Sequence, residues 1–287
     1  MNNFKIGIAG CLGRMGKELV SSIFQNKQTT FVGGFEKKNH PQIGEQISNI
    51  FNLDSNLVVV DNSEEIFLGS DCIIDFTTPE STSDNIDCAI KTRTALVIGT
   101  TGLNEKILKE IEEASKIIPI LQSTNMSLGV NTLFNLVELS ASIFDTLSYD
   151  IEISETHNKH KVDAPSGTAI TLGEYAAKGR KVDFNSVKNF DRTNKLNPRT
   201  EGEIGFSVTR GGEITGEHTV SYIGKNDRID LQHKAFNRSI FVEGAVRASI
   251  FLSQSQPGKF TMQDVINFHI RKLNFILIKK FITKIYE

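Results

Sequence analysis

Short apolar runs alternate with amphipathic stretches over the first 122 residues. Positions 4–9, 31–35, 57–60, 72–76, 95–98 and 117–121 are rich in Val, Ile and Phe. Near-continuous apolar runs of this length suit strands covered by helices on both faces. Between them, 14–25, 63–68, 81–91 and 104–115 carry charges and helix formers. Strand and helix in repeated alternation predict an α/β fold with a Rossmann-type, doubly wound parallel sheet.

The pattern then changes. A helix is predicted over 129–146, followed by a half-buried strand over 149–155 and a helix over 166–178. Three strands are predicted at 203–210, 215–224 and 228–235, with the period-2 alternation seen in Thr219-Val220-Ser221-Tyr222-Ile223. That alternation predicts a second, smaller α/β domain with an open mixed sheet, one face solvated or covered by a partner. The stretch 183–202, rich in Asn, Asp, Arg and Lys, is expected to be a long surface loop, and 238–253 returns to a helical pattern. From 271 to 287 apolar clusters alternate with lysines. A terminal helix docking its apolar face on the protein is the expectation there, with a membrane-surface or partner helix as the alternative.

Composition narrows the classes. A net charge of −2 over 287 residues argues against a dominant nucleic-acid surface. No uninterrupted apolar run approaches the roughly 18 residues of a membrane-spanning helix. Cys11, Cys72 and Cys88 have neither metal nor redox spacing and read as small buried apolar residues in a reducing compartment. The apolar run at 4–9 is too short for a signal-peptide core, so a cytoplasmic address is expected.

Gly10-Cys11-Leu12-Gly13-Arg14-Met15-Gly16 directly follows the first strand and opens a helix. Gly10 and Gly13 allow a tight turn and backbone approach to a pyrophosphate, and Gly16 allows close helix–strand packing. Phosphate would then meet unpaired N–H groups and the positive end of the helix dipole. Leu12 stands where the strict motif has its middle glycine, and a plain strand–helix turn is the competing reading. Glu36 closes the second strand, where an acid can accept hydrogen bonds from an adenosine ribose; Lys37 and Lys38 follow, suited to the 2′-phosphate of NADPH. The run 75–79 and the loop Gly99-Thr100-Thr101-Gly102 lie at strand ends on the same sheet edge and should line the same cleft.

The densest chemistry lies in Glu155-Thr156-His157-Asn158-Lys159-His160-Lys161, followed by Asp163-Ala164-Pro165-Ser166-Gly167-Thr168. Basic side chains beside the N–H groups of a starting helix make a receptor for carboxylates. Histidine is also the natural proton donor near neutral pH. His157 and His160 are spaced to hold a metal, but no third Cys or Asp ligand is evident nearby, so no metal is assigned. A solvated basic loop is the competing reading.

In order and spacing these motifs resemble the dihydrodipicolinate (4-hydroxy-tetrahydrodipicolinate) reductases. The resemblance rests on Gly13-Arg14-Met15-Gly16, Asp75-Phe76-Thr77, Gly99 to Gly102, Asn125-x-Ser127-x-Gly129-Val130-Asn131 and His157 to Thr168. Ile204-Gly205-Phe206, Arg210-x-Gly212, Gly216-Glu217-His218 and Gly244-Ala245-Val246-Arg247 add to it. It spans about residues 4–268 and implies a dinucleotide-binding domain of 1–128 with 239–287, around a substrate-binding and oligomerisation domain of 129–238. It implies a cytoplasmic homotetramer that reduces a cyclic dicarboxylate with NADH or NADPH in lysine and diaminopimelate biosynthesis.

By position, the resemblance gives Gly10, Cys11, Leu12, Gly13, Arg14 and Met15 to the pyrophosphate, and Glu36 with Lys37 to the adenosine ribose or its phosphate. Gly99, Thr100 and Thr101, with Ser123, Thr124, Asn125 and Met126, border the nicotinamide half. His157 resembles the proton donor/acceptor, and Lys161 a second proton donor and carboxylate partner. Asn158, Ser166, Gly167 and Thr168 fall to the substrate. Asn158 replaces a second histidine found in many relatives, and Lys37 stands where arginine is frequent. Two other functions remain open at this point. A non-catalytic NAD(P)-binding regulator would have no use for the proton donors, and another Rossmann reductase of the aspartate pathway would have to explain the His157-to-Thr168 loop.

Overall fold

The computed structural model of the chain describes residues 3–193 and 196–267. Its contacts divide into two compact units, one formed by residues up to Leu128 and from Phe241 on, the other by Gly129–Ile240.

In the first unit, β1 (Phe4–Ala9), α1 (Arg14–Gln25) and β2 (Thr29–Phe35) open the chain. After α2 (Ile47–Phe51) and α3 (Ser63–Gly69) come β3 (Cys72–Asp75), α4 (Pro79–Thr92), β4 (Ala95–Ile98), α5 (Glu105–Ser115) and β5 (Pro119–Gln122). The second unit holds most of α6 (Leu128–Ile143), then β6 (Tyr149–His157), α7 (Gly167–Arg180), α8 (Phe184–Val187), β7 (Lys188–Asn189), β8 (Ile204–Arg210), β9 (Gly216–Gly224) and β10 (Arg228–Ala235). The chain then returns to the first unit through α9 (Ser239–Leu252) and β11 (Gly258–Phe260).

The first sheet runs β11-β5-β4-β3-β1-β2, and every pairing is parallel. Alternate strand residues feed two cores. Ile6, Ile74, Val97 and Leu121 pack with Leu19 and Ile23 of α1 and Val242 and Val246 of α9. Ile73, Leu96, Ile98 and Ile120 pack with Phe67 of α3, Ile86 of α4 and Ile111 of α5. Each such fully buried side chain contributes about 1.5–3 kcal/mol, which is why the strand runs lack the alternation of a one-sided sheet. The second sheet runs β10-β9-β6-β8-β7, antiparallel on one side of β6 and parallel on the other. Its inner face, with Ile151, Ile153, Val220 and Tyr222, packs on Val137 of α6 and Leu172 of α7.

Two expectations change. The run 57–60 is not a strand. It makes only bridges, Val58 to Gln46 and Val60 to Phe35, because the sheet edge at β2 is met over too short a length. The stretch 183–202 is not all loop: α8 and β7 fall within it, and β7 adds a parallel edge beside β8 with Asn189 buried. Short elements of polar composition carry too little periodicity to be read. Shortness alone hid α2, five residues, and β11, three residues. The tail helix expected over 271–287 lies outside the described residues.

The returning helix imposes a local constraint. A Cβ on Gly244 would fall 1.7 Å from the Met126 carbonyl oxygen. Gly244→Ala should therefore destabilise the first unit by about 2 kcal/mol or more, measured by chemical unfolding. Gly69→Ala, where a Cβ meets nothing within 4 Å, should stay within roughly 0.5 kcal/mol of wild type.

Candidate active site

In the first unit the chain leaves β1 and turns at Gly10, whose φ of +65° is left-handed, a conformation open to glycine at little cost. Gly13 caps α1 without a side-chain bond, leaving first-turn N–H groups for an outside acceptor. Gly16 packs so tightly that a Cβ would lie 2.1 Å from the Gly10 carbonyl oxygen. The loop opens on a cleft of about 700 Å³, lined by Gly10, Leu12, Gly13, Glu36, Lys37 and Lys38 among others. Backbone donors, a helix N-terminus and two lysines fit an anionic dinucleotide. Glu36 is tied into the loop by accepting the Leu12 N–H at 2.8 Å.

A second hollow of about 270 Å³ is lined by Met15, Gly99, Thr100 and Thr101, and by residues 123–126. Phe76 and Thr77 line both spaces. Phe241, brought back by the returning segment, also lines the second; no local signal marked it in the sequence. Two residues of the turn keep their side chains out of both spaces. The Cys11 side chain is fully buried, and a Cβ on Gly34 would meet it at 2.5 Å. Burial first, and the charge of Glu36 second, push its thiol up to about 12. Cys11 is thus a core residue whose side chain cannot serve the cleft. Arg14 is exposed on the first turn of α1 and lines neither space.

In the second unit, β6 places Ile151, Ile153, Glu155 and His157 on one buried face. The isoleucines continue the core; the next two positions on that face are polar and must find partners. Arg210 stands opposite His157 on β8, and His218 opposite Glu155 on β9. The Arg210 guanidinium donates to both Glu155 oxygens, at 3.0 and 2.8 Å. The Ser166 N–H donates to Oε1 at 3.0 Å, and His157 Nδ1 meets Oε2. Burial works to raise the Glu155 carboxyl, but Arg210, the Ser166 N–H and His157 outweigh it and hold it below the usual carboxylate range.

Burial is also the main influence on His157. It lowers the imidazole, with help from Lys161 and Arg210, against the upward pull of Glu155. The neutral ring therefore dominates near pH 7, with its proton on Nδ1 toward the carboxylate and Nε2 left to exchange. Gly216 makes room for that atom, since a Cβ there would lie 2.9 Å from Nε2. The His218 ring stands edge-on to His157 at 5.0 Å between centroids. Burial, then the nearby His157, push it down to about 3.

Ser166 is buried and fully engaged. It caps α7, its Oγ accepting the Ala169 N–H at 3.2 Å while lying 3.0 Å from His218 Nε2. Gly167 follows at the start of α7, where a side chain would meet open space, and Thr168 stands in the same first turn. The Lys161 ammonium pairs with Asp163 at 2.8 Å. Asn158 Oδ1 accepts the His160 N–H at 3.0 Å, and His160 turns outward, 3.9 Å from Glu213. His160 therefore joins no ligand set with His157. The grouping that does form is Glu155, His157 and His218, with ligand-type atoms within 4.8 Å of one another. The Arg210 guanidinium already occupies the Glu155 carboxylate, and a fixed positive charge there opposes a metal cation.

Sequence reasoning gave no role to Glu155, Arg210 or His218. The signal was the Glu-x-His spacing on a strand, which sets both side chains on one face.

Two family models cover nearly the whole chain: dihydrodipicolinate reductase, N-terminus, over residues 4–126, and dihydrodipicolinate reductase, C-terminus, over residues 129–266. A 4-hydroxy-tetrahydrodipicolinate reductase from Polynucleobacter necessarius is 38% identical over 91% of this chain and 98% of its own length. One from the Wolbachia of Brugia malayi is 42% identical over 91% and 99%. In three dimensions, a dipicolinate-bound dihydrodipicolinate reductase from Paenisporosarcina sp. TG-14 shares the fold at a TM-score of 0.72 and 23% identity, covering 91% of this chain and 98% of that one. An amine dehydrogenase from Mycobacterium smegmatis aligns at a TM-score of 0.61 with 10% identity, over 91% and 95% of the two chains. With both halves matched end to end and relatives near 40% identity over almost their full length, the chain belongs to the dihydrodipicolinate reductase family.

Proposed function

We propose that the chain reduces 4-hydroxy-tetrahydrodipicolinate to tetrahydrodipicolinate and water in lysine and diaminopimelate synthesis, using NADH or NADPH. The observation that carries this reading is the buried Glu155–His157 pair, clamped by Arg210 and the Ser166 N–H beside the open start of α7. When bound, the nicotinamide supplies the hydride. The remaining work falls to side chains and backbone.

The Gly10–Gly13 turn and the first turn of α1 hold the pyrophosphate, and Glu36 and Lys37 take the ribose end. Tolerance of both cofactors follows from an acid and a lysine side by side. The acid can accept from ribose hydroxyls, while the ammonium meets a 2′-phosphate as a point charge without the planar grip of arginine. The run 123–126 and Gly99 to Thr101 border the nicotinamide half.

On the substrate side, the Gly167 and Thr168 N–H groups receive one ring carboxylate at the helix N-terminus. Lys161 receives the other. Its present partner Asp163 is itself a carboxylate and 59% exposed, so a substrate carboxylate can replace it. Asn158, whose carbonyl oxygen holds the turn, keeps its amide N–H for substrate. Loss of the 4-hydroxyl with a neighbouring ring proton as water gives the conjugated ring. Hydride addition then leaves an electron-rich enamine that takes up a proton, from the Lys161 ammonium or from His157 once its Nε2 has picked one up from solvent. Glu155 fixes the tautomer and stabilises the imidazolium whenever it forms. We further propose that the chain works in the cytoplasm as a homotetramer built on the second sheet. Half-exposed Val208 on β8 and Ile229 on β10 support this reading, and light scattering would test it.

A coupled absorbance assay tests the function. Purified protein should oxidise NADH or NADPH when supplied with the condensation product of pyruvate and aspartate semialdehyde; oxidation driven equally by aspartate-pathway aldehydes alone would favour another reductase. In the same assay His157→Ala and Lys161→Ala should each lower kcat about a hundredfold or more with little change in NADH affinity. Normal turnover in both would refute the roles given to them.

The buried imidazoles also set a pH dependence. His157 and His218 titrate below their unfolded values, so the unfolded chain binds protons first as pH falls. Stability is full above about pH 6.5, and His218 contributes a loss that continues down to about pH 3. Glu155, also lowered, adds a loss of the same sign as pH falls through its own folded value. Unfolding free energy should decline across this window, and His218→Gln should flatten the slope. An unchanged slope would contradict the buried neutral ring.

A further inference from the structure

The Asp75 side chain ends β3 with no exposed surface, and its two oxygens serve different neighbours. Oδ2 accepts from Thr82 Oγ1 at 2.8 Å and Asn85 Nδ2 at 3.1 Å, both on α4. Oδ1 accepts from the Thr77 N–H at 2.9 Å, Thr77 Oγ1 at 2.6 Å and Thr100 Oγ1 at 3.3 Å. The loop side is cross-braced, because the Thr77 N–H also reaches Thr100 Oγ1 at 3.0 Å. Phe76 is held between these bonds. Its ring fills the place of a side chain at Gly99, where a Cβ would lie 2.3 Å from it. Phe76 and Thr77 are the residues that line both the larger cleft and the smaller hollow.

A buried carboxylate is stable only when its lone pairs are filled. Here five neutral donors fill them, and three of the five come from loops that wall the cleft rather than from the sheet. The cost of orphaning any of these groups keeps both loops in one arrangement before a ligand arrives, and preorganisation of this kind is gained as affinity.

We propose that Asp75 is a positioning residue that fixes the partition between the two parts of the dinucleotide cleft, with Oδ1 bracing the Phe76–Thr77 and Gly99–Thr100 walls and Oδ2 anchoring α4. Asp75 does not touch the cofactor; it acts through Thr77, Thr100 and Phe76. The inference rests on the dinucleotide reading of the cleft and goes further, since it assigns the wall's stiffness to a single buried group.

The test compares wild type, Asp75→Asn and Thr82→Val in NADH titrations by fluorescence, in steady-state kinetics, and in thermal unfolding. Asp75→Asn turns one acceptor into a donor facing hydroxyl and N–H groups. It should raise the NADH Kd and cofactor KM about tenfold, while kcat at saturating cofactor changes less than about threefold. Thr82→Val removes a bond to the α4-side oxygen alone, so it should lower the melting temperature yet leave the cofactor KM within about twofold of wild type. Should Asp75→Asn fail to fold, Thr100→Val, whose hydroxyl is committed to Asp75 and the Thr77 N–H, should raise the NADH Kd and cofactor KM in the same direction, because it removes a loop-side brace. The proposal is overturned if folded Asp75→Asn or Thr100→Val binds NADH as wild type does, or if Thr82→Val raises KM equally. If wild type itself binds neither NADH nor NADPH, the dinucleotide reading fails instead, and that result is distinct from the other outcomes.

Discussion

The chemistry of the second unit depends on keeping one carboxylate charged inside the protein. Glu155 is 2% exposed, and an isolated carboxylate at that depth would be neutralised or expelled. Arg210 prevents this with a bidentate grip from the neighbouring strand, and the Ser166 N–H adds a third donor from the entrance to α7. One ion thus ties together three segments, one of them 55 residues away in sequence. Removing Arg210 would do more than delete a salt bridge, because it would strand a buried charge, a far costlier event than losing a surface pair.

Around that ion the imidazoles become orderly. His157 has one nitrogen committed to Glu155 and the other beside Gly216, which lacks the side chain that would cover it. His218 is neutral and in contact with the helix-capping hydroxyl of Ser166. The residue proposed to handle the proton and the helix start proposed to receive a carboxylate therefore share one scaffold. In the first unit an equivalent logic holds: the glycine turn is stabilised from Glu36, and the cleft walls from Asp75.

Much of this could be read from residues alone, for identifiable reasons. Strands with both faces covered announce themselves as apolar runs, and β1, β3, β4 and β5 fell within a few residues of their expected places. The glycine turn was legible because few sequences need three small residues between a strand and a helix. Two kinds of feature were hidden. Short polar elements such as α8 and β7 owe their form to tertiary pairing, which leaves no periodic trace. Partners supplied by other strands, Arg210 and His218 among them, depend on register, and register is a property of the sheet rather than of any local stretch. Cys11 was legible as a small buried residue, and its side chain does point into the core.

The first unit is interrupted in sequence, and this bears on synthesis at the ribosome. Val242, Ala245 and Val246 of α9 complete the core over one sheet face, and β11 closes the edge beside β5. Neither has been translated when β5 leaves the exit tunnel, so Leu121 and its neighbours must wait with their apolar flank uncovered while more than a hundred further residues are made. A nascent chain in that condition is a natural client for holdase chaperones. Ribosome stalling just before Phe241 would display it in its most aggregation-prone form.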